Sequence, residues 1–540
     1  MRWFSALAAA VIAAVLTLCL LRHATGATQP ARIAGISRAD QLGRVNFPTS
    51  CSSKVQPAIE KGVALLHSFQ YQQAKQVFAE AAELEPSCPM ADWGKAMSLY
   101  HQLWDFPSNE TLAEGRQCVE RAQKATELKA RERAYVLAAA AFYRDDSKLT
   151  HADRWQAYLA SMQKLHQDFP DDTEGAQFYA LSLLSNPRND ADDSANRKTA
   201  IRILNPILTS EPGSPGAAHY LIHATDTPEF APQGLVAARA YARIAPDSSH
   251  ALHMPSHIFV RLGLWQETID SNLAASASAA RATEMHLSDP HYQIHALDFL
   301  DYAYLQSGQE SRARQIIEDL HHIPGMADMK NMADEVAYFV ARNALELHHW
   351  REAASIPVPE VKLAWKDSTY RARAIGAARI GDVEGARTAT ARLTEAIVAR
   401  ESEQREKGYY VPEGESIDQR EAEGWLAYAE GETDQAVQKL RSAAERQRAS
   451  SLDSISIPAR EMLADLLVEL KRPADAAVEY NLVLKRSPNR FDALYGAARA
   501  AQLAGNTREA QEYFARLVEI SAAAADRPEL QEARVFIARK

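Results

Sequence analysis

Seventeen histidines occur in the 540-residue chain, and eight of them fall between His219 and His295. Their spacing carries more than their number. His219, His223 and Asp226 are separated by four and then three residues, and His250, His253 and His257 by three and then four. His295, Asp298 and Tyr302 repeat the three-and-four pattern. Residues three and four apart share one face of a helix, so each trio should project from a single face. Neutral imidazole suits zinc, copper, iron or nickel, and Asp226 and Asp298 could ligate or could orient a ligating histidine. His291, four residues before His295, could join the set, whereas His286 reads as exposed. This many donors would admit two ions. The competing reading is a metal-free groove of hydrogen-bonded neutral histidines that contacts a peptide.

Pro255 bears on this pattern, because a proline disfavours helix at the residue before it and removes a backbone donor. A helix starting at Pro255 would leave His250 and His253 on an entering turn; a kinked helix would keep all three histidines on it.

These residues need helices that stack side by side. Ala464, Ala476, Tyr480 and Pro488 have counterparts at Ala498, Ala510, Phe514 and Ala522, each displaced by 34 residues. That is the period of the tetratricopeptide repeat (TPR), two antiparallel helices with small residues at their crossing and an aromatic between them. His219 to His253 and His223 to His257 show the same displacement. The unit with Gly424, Ala427, Gly431, Ala436 and Leu440 precedes these C-terminal repeats. Similar grammar appears at Ala74, Phe78, Ala81 and Pro86, and at Tyr304, Gly308, Ala313 and Leu320. The expected fold is an all-α solenoid of TPR-type helical hairpins, in which each hairpin buries its apolar face only against a neighbour. Each trio then lies on the first helix of its hairpin. Consecutive first helices are neighbours lining the concave surface, so the trios should meet in one groove spanning residues 216–307.

The expected organisation is a signal peptide over 1–27, a mobile linker over 28–46 and an N-terminal solenoid over 47–400. A charged loop over 401–416 and C-terminal TPR units over 417–540 complete it. Arg2, the uncharged run Ser5 to Leu21 and the small residues Ala24-Thr25-Gly26-Ala27 form a secretory signal, with cleavage expected after Ala27. The rival is an uncleaved membrane anchor at the short end of a span. Export, to the periplasm or outside the cell, means an oxidising compartment. Cys19 leaves with the signal. Of Cys51, Cys88 and Cys118, the first two flank the first hairpin, where a disulfide would staple the end of the solenoid; three buried free thiols are the alternative.

The net charge of −10 becomes −12 without Arg2 and Arg22. No basic patch interleaves with aromatics, which argues against a nucleic-acid partner. No nucleophile elbow, phosphate-binding glycine loop or HExxH is present. Ile59 and Val63 stand where a TPR clamp for C-terminal carboxylates would want polar groups. Trp93, His101 and Trp104 mark the second hairpin; core packing explains Trp93 best, with a ligand-stacking role as the alternative, and Glu174 with Tyr179 could face the groove. Tyr409 and Tyr410 could sit on a flap, while Glu461 and Asp465 read as a solvated acidic face. His321, His322, His348 and His349 read as surface residues near helix ends.

The stretches ALLHSFQYQQAKQVFAEAAELEPSCPMADWGKAM, PGAAHYLIHATD and HALHMPSHIFVRLGLW, continued by HYQIHALDFLDYAYLQSGQ and SPNRFDALYGAARAAQLAG, resemble a family of exported bacterial TPR proteins. The resemblance covers most of residues 45–520 and implies the solenoid fold and export. The family has no established activity. The reading from sequence is therefore an exported TPR scaffold whose groove carries a His/Asp site for copper, iron or zinc and binds a protein, peptide or small molecule. The alternatives are a metal-dependent oxidase, oxygenase or hydrolase on the same ligands, and a metal-free interaction solenoid.

Overall fold

A computed structural model describes residues 41–103, 105–125, 128–145, 148–186, 193–326, 329–449, 455–524 and 527–539. The signal segment, most of the linker, Cys19 and Trp104 lie outside the described residues. Among those described, the chain is a succession of antiparallel helical hairpins with no strand, and each hairpin packs on the next. No described helix is long and apolar enough to cross a membrane.

The helix Tyr71–Leu84 shows why these sequences stack. It buries Tyr71, Ala74, Val77, Phe78 and Ala81, an apolar stripe at helical spacing. The Phe78 ring fills the space between neighbouring first helices so closely that a Cβ on Gly62 or Gly94 would lie 2.4 or 2.2 Å from it. The same device recurs in the last repeats. Tyr480 abuts Gly496, where a Cβ would stand 2.2 Å from the ring, and Ala464, Ala476, Ala498 and Ala510 are fully buried at the crossings.

The array is tied back on itself. Trp265 Nε1 donates to the Asn489 carbonyl at 2.7 Å, and Asn489 Nδ2 donates to the Gly263 carbonyl at 3.0 Å. Tyr409 stacks on Phe106, with centroids 4.0 Å apart, and accepts from the Phe106 backbone N–H. Residues 401–406, expected in a loop, continue the helix Val383–Glu406, because the charges there lie on an exposed helical face. The break itself runs from 407 to 416, turning at Gly408 and Gly414 with φ near +82° and +83°.

The end of the expected mobile linker is packed. Arg44 N–H donates to the Gly213 carbonyl, Asn46 N–H to Glu174, and Leu42 is buried. Just beyond it, Phe47 is buried between Trp93 and Tyr135, which places Trp93 in the core. Apolar Leu42 and Phe47 carry this polar stretch onto the hairpin ends. A disulfide joins Cys51 to Cys88, and Cys118 is a buried free thiol.

Glu461 and Asp465 are not a solvated acidic face. Glu461 is buried and takes a two-pronged contact from Arg490, which also engages Glu346 and Tyr302. Asp465 accepts from the Tyr480 hydroxyl. Burial pushes both carboxyls up. Sequence spacing put these acids on one helix face; the Arg490 that covers Glu461 comes from the next repeat.

Candidate metal centre

Three consecutive first helices bring the histidines together. Pro215–Thr225 carries His219 and His223, its entry capped by Ser214, whose hydroxyl accepts from Ala217 N–H. Ser249–His253 and Pro255–Leu262 carry the next three, and His291–Gln306 carries His295. Pro255 interrupts the backbone bonding without redirecting the helix, because Met254 keeps helical angles of −53° and −33°. All three histidines of that segment therefore remain available.

The rings do not group by helix. His219, His223 and His250 form one triad and His253, His257 and His295 another; within each, one nitrogen per ring lies within 4.8 Å of the others. His250 crosses to the preceding repeat because it sits nearly a full turn before His253, on the side facing His219. Its Nε2 and that of His223 each lie 3.1 Å from His219 Nε2. In the second triad His253 Nε2 is 3.1 Å from His257 Nε2.

Three of the rings have their other nitrogen held by an oxygen that can only accept. His219 Nδ1–H donates to the His67 carbonyl at 2.6 Å and His257 Nδ1–H to Asp226 at 2.9 Å. His253 Nδ1–H donates to Asn272 Oδ1 at 2.7 Å, and Asn272 is oriented by its own donation to the Thr268 carbonyl. In the neutral rings this leaves the Nε2 lone pairs aimed into the triads, the arrangement a metal-binding histidine requires.

The electrostatics keep five of the six rings neutral. Burial lowers His219 and His295 to about 3, and burial followed by neighbouring imidazoles holds His223, His250 and His253 well below the usual histidine range. Burial alone would raise Asp226, but the Arg261 guanidinium and His257 beside it hold it well below the usual carboxylate range.

The structure separates the remaining candidates from the triads. Asp226 binds His257 and Arg261, orienting a ring instead of joining the triad. Asp298 is paired with Arg342 at 2.6 Å, and Tyr302 accepts from Arg490. With these two side chains taken up by arginines, the third trio delivers only His295 to the centre. His291 is exposed, stacked 6.3 Å from His295 where both line a cavity, and belongs to neither triad. Glu174 is buried, accepting from the Asn46 N–H and bonded to His67 Nε2 at 2.7 Å; Tyr179 stacks on His166. His101 stacks on Tyr71 with its Nδ1 bonded to Asp105. His286, His321, His322 and His348 are exposed, and His349 is half-buried.

Sequence reasoning missed three contributors. His67, fully buried between Glu174 and Tyr220, positions the carbonyl that holds His219. Phe69 walls the first triad, with its ring centre 4.4 to 5.6 Å from those of His219, His223 and His250. Phe299 does the same for the second, 4.6 to 5.4 Å from His253, His257 and His295. Phe299 lies four residues after His295 and was legible as sharing its face. Nothing in the sequence pointed from Phe69 or His67 to helices 150 residues away.

Comparison with known proteins adds little beyond the repeat. The family Tetratricopeptide repeat matches residues 492–520. No curated protein sequence matches the chain. Among solved structures, the human IFIT1 dimer with PPP-AAAA is 12% identical over 87% of this chain and 91% of that one, at a TM-score of 0.35. The human IFIT1 dimer with m7Gppp-AAAA is 13% identical over 90% and 93%, at a TM-score of 0.33. A monomeric IFIT1 mutant with Gppp-AAAA is 14% identical over 86% and 100%, at a TM-score of 0.35.

Proposed function

We propose that this chain is an exported TPR-type scaffold that binds a transition-metal ion through histidine alone and presents it to a ligand in the adjoining groove. The observation that carries the reading is the pair His253 and His257. Their Nε2 atoms face each other at 3.1 Å while both Nδ1–H groups are committed to oxygen acceptors. With both Nδ1–H groups committed, the two Nε2 atoms would meet lone pair to lone pair unless a cation, a metal ion or a proton, lies between them. Two nitrogens on a tetrahedral ion at ~2.0–2.1 Å would lie about 3.3 Å apart, close to this spacing. A shared proton is the competing cation, but it would serve two rings and leave the third of the triad unused.

An all-imidazole set suits copper, zinc or iron. Export is supported by the signal-like segment Met1 to Ala27 and by the disulfide, which belongs to an oxidising compartment. A catalytic version needs a coordination position open to substrate, and His295 is favourably placed because it also lines a cavity.

The test is elemental analysis of protein purified without chelator and then offered zinc, copper and iron in turn. Stoichiometric retention is expected, with loss of metal and an unchanged helical spectrum in His223→Ala and His257→Ala. Failure to retain any of the three would leave the triads as a metal-free polar groove.

A further inference from the structure

The two triads cannot share one ion. Six nitrogens on a single octahedral ion would all lie within about 4.2 Å of one another. Here the donors separate into two threes, each within 4.8 Å internally, that do not merge into a larger group. Yet the threes abut. Ring centres across the divide, His250 to His253 and His223 to His257, are 6.2 and 6.4 Å apart, scarcely more than the 6.0 Å between His257 and His295 inside one triad.

The threes differ in access to a cavity. Each has buried rings, His219 and His250 in one and His253 in the other, beside partly exposed ones, His223 in the first and His257 and His295 in the second. Phe69 covers the first triad, whereas His295 of the second lines a cavity of about 600 Å³, within the range of small-molecule sites. Its walls include Tyr71, Tyr292, Gln70, Asp105 and Asp289, and no lysine or arginine is among the described residues that line it. Gln70 Oε1 is buried there with no hydrogen-bond donor. Carboxylates, phenols and an unmet acceptor on the cavity walls favour a donor-bearing neutral or cationic molecule over an anion.

Resting on the metal reading above, we infer that the triads hold a dinuclear centre, one ion in each, and that the ion at His253, His257 and His295 is reached through this cavity by a small uncharged or cationic ligand. None of the first triad's rings lines this cavity.

Copper(II) loading of the full chain tests this. Saturation should give two ions per chain. His223→Ala and His295→Ala should each fall to one, with their helical spectra retained. The electron paramagnetic resonance spectrum of the two-ion protein should differ from the sum of the two variants' spectra, since paired spins this close broaden each other. Imidazole, as an uncharged probe, should shift the spectrum of His223→Ala, which keeps the outer ion, and inorganic phosphate at equal concentration should not. Adding Ala282→Trp, which fills the cavity wall, should abolish the imidazole shift while leaving the outer ion bound. One ion per chain in the wild type would overturn the dinuclear centre while leaving metal binding intact. Two ions whose spectrum is a simple sum would make them independent. An equal response to phosphate, or an imidazole shift that survives Ala282→Trp, would overturn the assignment of the cavity. No metal at all would sink the earlier reading itself, and this one with it.

Discussion

Asp226 accepts the Nδ1–H of His257 at 2.9 Å, although the two residues sit on successive hairpins. The other carboxylate oxygen accepts from Arg261, one turn beyond His257. This contact sets the tautomer and direction of a ring that the backbone alone would leave free to rotate.

Asp226→Asn should therefore weaken metal binding without removing a ligand. Partners of this kind typically contribute about 10- to 100-fold in affinity. Competition against a chromophoric chelator would measure the change, and an affinity equal to the wild type would mean that the contact does not orient the ring.

Acid should destabilise the metal-free protein over a defined window. His219 and His295 are held at about 3 by burial, whereas an unfolded histidine titrates near pH 6.5, at about its reference value. Between those values the unfolded chain binds more protons than the folded one, so stability rises with pH and falls as pH is lowered through the window. Urea midpoints in the presence of chelator should drop steadily from pH 7 to pH 4. A flat profile would contradict buried neutral rings. Bound metal should be released over the same range, because protons compete for the ligand nitrogens.

The cysteines make a separate prediction. Thiol titration of the oxidised, unfolded chain lacking residues 1–27 should find one free thiol, that of Cys118. The Cys51–Cys88 bridge spans 37 residues, and in the chain-entropy treatment closing such a loop contributes about 4 kcal/mol. Reduction should lower the urea midpoint accordingly; three titratable thiols would remove the bridge.

Arg490 is fully buried and serves two carboxylates, Glu346 and Glu461, on different helices. Arg490→Ala would strand both acids without their cation, a loss of about 3–5 kcal/mol for a broken buried pair. Arg490→Lys should recover part of it, since an ammonium restores the charge but not both forks. Denaturant unfolding of the two variants would show whether the order holds.

The helical hairpins were legible because their cause is local. Alanine-rich helices with an aromatic at a fixed offset can bury that aromatic only against a neighbour's small residues, and Tyr480 against Gly496 does so. Elsewhere the deciding partner lies outside the repeat, as for Glu461, which meets an arginine that spacing could not associate with it. The charged run 401–406 continues a helix for a local reason, since its charges lie along an exposed helical face. Residues 41–46 read as linker because their partners, Gly213 for Arg44 and Glu174 for Asn46, lie far along the chain.

By itself, the sequence determined that the chain forms stacked helical hairpins, and that histidines three and four apart share helix faces within them. Those are consequences of helical geometry and a 34-residue period, which act over neighbouring residues. Only the tertiary structure decided which rings meet. His250 joins His219 and His223 while His253 turns to His257 and His295. Asp298 is taken by Arg342, and His67, Asn272 and Asp226 fix the ring nitrogens. The partition depends on side-chain directions across helix–helix contacts and on hydrogen bonds spanning up to 152 residues, and periodicity along a chain carries no information about either.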